Sequence, residues 1–135
     1  MIVVDASVAL AWCFADENDE IADRALDRVV REGGCAPAHW PMEIANGLRS
    51  AERRGRVDEK GVERGGRLLG GLGIEIVPVE LSTALSALDV ARSEGLSAYD
   101  AVYLDLAWYR ELSLATVDAA VANACRRKGD RKSVV

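Results

Sequence analysis

The sequence predicts an α/β fold in which a parallel sheet is covered on both faces by helices. Two observations carry this: short apolar runs of strand length, and amphipathic stretches of helical period that alternate with them along the chain. Length supplies a third, because 135 residues make one ordinary domain with a real core, read as a single unit over 1–135. No internal repeat or linker divides it.

The elements follow in order. Ile2-Val3-Val4 is an apolar run read as a buried strand, followed by an apolar helix from Ala6 to Phe14. Between Glu17 and Arg31, Ile21, Ala25, Leu26, Val29 and Val30 share one helical face, and Gly33-Gly34 stops that helix. Cys35-Ala36 is a short second strand. Pro41 suits the first helical position, and Ile44, Ala45, Leu48 and Ala51 continue an apolar stripe that Gly55 breaks. Asp58 to Leu72 reads as a helix weakened by Gly61, Gly65, Gly66, Gly70 and Gly71, each interior glycine costing roughly 1 kcal/mol relative to alanine. It is not a phosphate-binding loop, because no Gly-Lys-Ser/Thr follows the glycines. Ile74 to Val79 is a strand, and Leu81, Ala84, Leu85, Leu88 and Ala91 make a helix closed by Gly95. Ser97-Ala98-Tyr99-Asp100 has the form of a capping box and opens a helix through Arg110. Ser113-Leu114-Ala115 is a strand, Asp118 to Arg127 a helix, and Ser133-Val134-Val135 a fifth strand.

The net charge of −5 argues against holding a polyanion over the whole surface. The charge is uneven, however. Asp16, Glu17, Asp19, Glu20, Asp23 and Asp27 form an acidic stretch, while Arg49, Arg53, Arg54 and Arg56 form a basic one, as do Arg126, Arg127, Lys128, Arg131 and Lys132. Each alone is explained as a solvated face; two basic stretches flanking an acidic pocket also suit a phosphate backbone. The first apolar run is cut off at once by Asp5, which leaves no room for a signal peptide. No later run is long enough to span a bilayer, so a cytoplasmic protein is expected. Cys13, Cys35 and Cys125 lack metal-ligand spacing and are read as buried, reduced thiols. A lone histidine, His39, excludes a His-rich zinc site and is read as packing or hydrogen-bonding near a helix start.

Four acids carry the chemistry. Asp5 follows the first strand, Glu43 is in the first turn after the second, Asp100 is in the first turn of its helix, and Asp118 follows the Leu114 strand. In an open parallel sheet such strand-to-helix junctions lie at one edge, where ligands bind. Singly, Asp100 and Asp118 are as well explained as caps, and Glu43 as a first-turn glutamate. Asp5 is the exception, because ending an apolar strand is a poor place for a cap alone. Together the four raise one another's pKa values unless a cation intervenes. An all-oxygen carboxylate set is the ligand type for Mg²⁺ or Mn²⁺ and not for zinc. With no Ser-His-Asp or Cys-His set in the sequence, water activated by such an ion is the expected nucleophile.

The same residues resemble a known family. Val3-Val4-Asp5-Ala6-Ser7-Val8 resembles the opening of PIN-domain ribonucleases, specifically the VapC toxins of toxin–antitoxin pairs. Glu43-Ile44-Ala45-Asn46 is similar to their Glu-x-x-Asn element, Tyr99-Asp100-Ala101 to their Tyr-Asp-Ala signature, and Thr116-Val117-Asp118 to their final Thr-x-Asp. The order and spacing agree over essentially the whole chain. The resemblance implies a PIN-like three-layer sandwich with a five-stranded parallel sheet, and Mg²⁺- or Mn²⁺-dependent cleavage of RNA. It implies metal ligation and catalysis by Asp5, Glu43, Asp100 and Asp118, supported by Ser7, Asn46 and Thr116. It also implies a homodimer and a cognate VapB-type antitoxin. Asp105 departs from the family pattern, standing where a small apolar residue is usual. Lying one and a half turns beyond Asp100, it is expected to face elsewhere.

Arg49, Arg53 and Arg54 are candidates for contacting RNA or the antitoxin. An RNA-processing nuclease without an antitoxin, or a non-catalytic module that binds nucleic acid or protein, would share the fold. A phosphatase with an aspartyl nucleophile would want an acid two residues after Asp5, where Ser7 stands, and a phosphoacceptor domain would want paired acids after the first strand.

Overall fold

The computed structural model describes residues 1–14 and 16–127. Among them four strands, all parallel, form one sheet in the order β3-β2-β1-β4: β1 Ile2–Val4, β2 Gly34–Pro37, β3 Glu75–Val77 and β4 Leu114–Ala115. The seven helices are α1 Ala6–Cys13, α2 Glu20–Glu32, α3 Trp40–Arg53, α4 Glu59–Gly71, α5 Leu81–Glu94, α6 Ala98–Arg110 and α7 Ala119–Arg127. The fifth strand expected at residues 133–135, and the basic residues Lys128, Arg131 and Lys132, lie outside the described residues.

β1 is central, between β2 and β4, and Ile2, Val3 and Val4 are fully buried, as a strand covered on both faces requires. Its register is fixed by Val3, which faces Cys35 on one side and Leu114 on the other. The edge strand β3 is shorter than the expected Ile74–Val79 run, and its end has a simple cause: Pro78 brings no N–H to the ladder. α6 lies across β1, β2 and β4 with α5 and α7 against it, while α2 packs on β1 and β4 and α1 joins α2, α3 and α4. The Trp12 indole N–H donates to the Ala22 carbonyl at 2.7 Å and ties α1 to α2.

Most helix boundaries follow from caps. Asp19 accepts from the Ile21 and Ala22 N–H groups, so α2 starts at Glu20 and not at Glu17. Gly33, at φ 81°, ends it in a conformation that side-chain-bearing residues rarely adopt. Ser97 caps α6 by accepting the Asp100 N–H at 3.1 Å. α4 runs unbroken despite its glycines, and Gly65 has a packing reason: a Cβ there would stand 3.0 Å from Cys13 Sγ, so the glycine lets α4 lie close on α1.

Because the sheet is parallel, β1, β2 and β4 all end at the same edge. Each hands the chain to a helix there, and the first turns of α1, α3 and α7 gather at that edge.

Candidate functional site

Asp5 is the residue between β1 and α1, and only 4 % of it is exposed. Its backbone N–H still pairs with the Ala115 carbonyl at 3.1 Å, while its side chain turns into the helix that follows. Oδ1 accepts from the Val8 N–H at 3.1 Å and from the Ser7 hydroxyl at 2.6 Å, so Asp5 is the N-cap of α1. The expectation that Asp5 is poorly placed to cap is therefore corrected. Strand and helix are separated by this single residue, so the acid that ends one necessarily begins the other. Burial raises its pKa from 3.8 to about 6, against the lowering hydrogen bonds of Ser7, Thr116 and Val8; the charge of Asp100 raises it further.

Ser7 and Thr116 join the two central junctions. The Ser7 hydroxyl oxygen accepts from the Val117 N–H at 3.1 Å and lies 3.3 Å from Thr116 Oγ1. Thr116, 1 % exposed, accepts from the Asp118 N–H at 3.0 Å. Asp118 in turn caps α7 through Oδ1, which accepts from the Val121 N–H at 3.0 Å. A continuous chain of hydrogen bonds thus runs from Asp5 through Ser7 and Thr116 to Asp118, between opposite ends of the sequence. Asn46 behaves differently: it is exposed one turn beyond Glu43 on α3, and its side chain makes no hydrogen bond among the described residues.

Glu43 is held from two sides. The Tyr103 hydroxyl donates to Glu43 Oε1 at 2.7 Å, and His39 Nε2 stands 3.2 Å from the same oxygen and 3.1 Å from the Tyr99 carbonyl. Both partners of Nε2 are acceptors, so that nitrogen carries a proton. Burial alone would raise the Glu43 carboxyl; the bonds from His39 and Tyr103 outweigh it, and the pKa falls below its ordinary value. Tyr103 is itself 1 % exposed, and burial together with Glu43 holds its hydroxyl firmly protonated.

Asp100 connects the set. Its pKa is raised by burial first, then by the charges of Asp118 and Glu43, with a bond from Ser97 and the nearness of His39 pulling the other way. Asp5 feels the charge of Asp100 in turn. Four acids from four separate segments are therefore electrostatically joined through one of them. Among the described residues no three Asp, Glu, His or Cys side chains are already drawn into a closed ligand set.

His39 hydrogen-bonds and packs at the start of α3 as expected, but its contact with Glu43 was not foreseen, and Tyr103 was not singled out as a site residue at all. Helical spacing signals both: His39 precedes Glu43 by four positions and Tyr103 follows Asp100 by three, which puts each pair on one face. Asp105 instead lines a separate cavity of about 330 Å³ with Pro37, Val77, Thr83, Val102 and Tyr109. Of the basic candidates, Arg49 is paired with Glu52 at 2.6 Å. Arg53 and Arg54 are at the far end of α3, about 15 Å from Glu43 along the helix axis.

Against families of known proteins, residues 2–127 match the PIN domain, whose members are generally nucleases. The fold is similar to the crystal structure of PAE2754 from Pyrobaculum aerophilum, with a TM-score of 0.72 at 21 % identity, over 98 % of this chain and 81 % of that one. No curated protein sequence matches the chain. No helix among the described residues is long and apolar enough to cross a membrane.

Proposed function

We infer that this chain, which belongs to the PIN domain family, is a Mg²⁺- or Mn²⁺-dependent endoribonuclease acting as the toxin of a VapBC-type toxin–antitoxin pair. The observation that carries the nuclease reading is the coupling of Asp5, Glu43 and Asp118 to Asp100. A buried carboxyl at the sheet edge, beside three others, is costly unless a cation shares the site. The donor set fits a hard divalent ion, because it offers carboxylate oxygens only. When bound, such an ion would supply a water activated for attack on phosphorus and charge to offset that of the phosphate.

The chain's own residues do the positioning. Asp5, Glu43, Asp100 and Asp118 would hold the ion. Ser7 and Thr116 fix the orientation of Asp5 and the course of the chain into Asp118. Tyr103 and His39 set the rotamer of Glu43 and keep it ionised. Arg49, Arg53 and Arg54 would meet RNA flanking the cut or the antitoxin. Asn46, exposed on the Glu43 helix, would join the site only once substrate or ion is bound.

The toxin assignment, with its VapB-type antitoxin, homodimer and cytoplasmic location, rests on the four motifs falling in family order along one PIN domain. Asp100→Asn is expected to abolish Mg²⁺-dependent RNA cleavage while leaving the circular dichroism spectrum unchanged, and EDTA to silence the native protein. Full activity in either experiment overturns the nuclease reading. Growth arrest on expression, relieved by a small protein encoded beside this one, is the outcome expected of a toxin; unhindered growth with active nuclease would mark a processing enzyme instead.

A further inference from the structure

Among the described residues, the helix openings that carry the acids bring no positive side chain to the site. No Lys or Arg lies in the first turn of α1, α3, α6 or α7, the four helices that open at the site. Arg49 is engaged by Glu52, and Arg53 and Arg54 lie farther along α3. RNA nearest the acids would therefore gain from contacts that do not depend on charge.

One such contact stands at the mouth of the site. Tyr99 is 62 % exposed, directly precedes Asp100, and occupies the first turn of α6. Its ring centroid lies 5.5 Å from that of His39, with the planes tilted by 59°. His39 also touches Glu43 Oε1 through Nε2 and meets the Tyr103 ring edge-on at 5.0 Å. The Tyr99 ring is thus one imidazole away from Glu43. The bond between its carbonyl and His39 Nε2 braces the turn that carries it. Met42, 72 % exposed in the first turn of α3, is a second apolar group on the turn that carries Glu43. A large aromatic side chain fixed by its neighbours yet left in water is a platform with little entropy to lose on stacking.

We propose that Tyr99, braced by His39 beside the acids, is the surface on which an unpaired nucleobase next to the cleaved phosphodiester stacks. The proposal rests on the nuclease reading for its substrate and adds the contact that holds it. Stacking of a base on an aromatic side chain changes affinity by about fivefold to a hundredfold when the ring is removed.

The test uses the full chain in an Asp5→Asn background, expected to be inert, and 12-nucleotide single-stranded RNAs carrying one 5-iodouridine moved through successive positions. Photocross-linking is expected to attach the RNA to the peptide containing Tyr99. Tyr99→Ala is expected to weaken binding within the range above and Tyr99→Phe to restore it. Tyr109→Ala, which removes an 88 % exposed ring at the other end of α6, should bind like the parent. Since Tyr99 is exposed, the thermal midpoint of Tyr99→Ala should match the parent's, separating a binding loss from misfolding. Cross-links confined to other peptides, or parental affinity in Tyr99→Ala, overturn the proposal. Cleavage by the protein with Asp5 intact distinguishes the two readings. Metal-dependent cleavage with a neutral Tyr99→Ala removes the platform alone, whereas a Tyr99 cross-link without any cleavage supports the platform and removes the nuclease.

Discussion

Replacing Asp5 by asparagine should make the metal-free protein more stable at neutral pH. A carboxyl whose pKa is higher in the folded state stabilises the fold only while it is protonated. For Asp5 that contribution is complete below its ordinary value of 3.8, fades as pH rises towards about 6, and is gone above it. The difference corresponds to about 3 kcal/mol by which the ionised side chain burdens the folded protein at pH 8. Asparagine carries no charge to desolvate, and its Oδ1 can still accept from Ser7 and from the Val8 N–H, so the α1 cap survives; asparagine and aspartate are near-equal caps. In urea unfolding with EDTA, Asp5→Asn should differ little from the native protein at pH 4 and exceed it by about 2–3 kcal/mol at pH 8. Adding Mn²⁺ should then reverse the order, since an ion at about a thousand times its dissociation constant adds about 4.1 kcal/mol to the protein that binds it. A difference that does not grow between pH 4 and 8 would refute the account of Asp5 as a buried acid under strain. Equal stabilisation of both proteins by Mn²⁺ would remove Asp5 from the ligands.

Tyr103→Phe deletes the hydroxyl that donates to Glu43 at 2.7 Å while keeping the buried ring. Mn²⁺ affinity, read from the electron paramagnetic resonance of the free ion, should fall about tenfold or more; unchanged affinity would leave Tyr103 a packing residue. Neutralising Arg49, Arg53 and Arg54 to glutamine should flatten the dependence of log RNA affinity on log salt by about 0.7 for each phosphate these arginines neutralise. An unchanged slope would move all three off the RNA path.

What could be read from the sequence was what depends on local pattern. The apolar run Ile2-Val3-Val4, the glycine stop at Gly33 and the cap at Ser97 each have a signature within a few residues, and each is where it was expected. Boundaries set by a single group were less accessible: α2 begins where Asp19 happens to cap it, and β3 stops short of Pro78. Least accessible were the bonds that join distant segments. That Tyr103 reaches Glu43, or that the Ser7 hydroxyl receives the Val117 N–H, follows from the strand order β2-β1-β4, which sequence periodicity does not specify.

Capping and metal ligation entered as rival explanations of the same acids, but the two are chemically compatible. Asp5 and Asp118 both cap, and both do so through Oδ1. An ionised carboxylate has about four acceptor positions, so one or two cap bonds leave room for a cation on the same group. The cap would also do for a ligand what a separate supporting residue would otherwise have to do, because a side chain bonded to a helix N-terminus has lost its freedom to rotate. Asp100 and Glu43 reach the site from inside their helices, and Glu43 is oriented by Tyr103 and His39 instead of a cap. A helix start that needs an acid and an ion that needs one would thus be satisfied by the same aspartate at two of the four positions. Two helix openings and two first turns thus bring four acids to one sheet edge, and the desolvation cost is largest at Asp5, where burial is deepest.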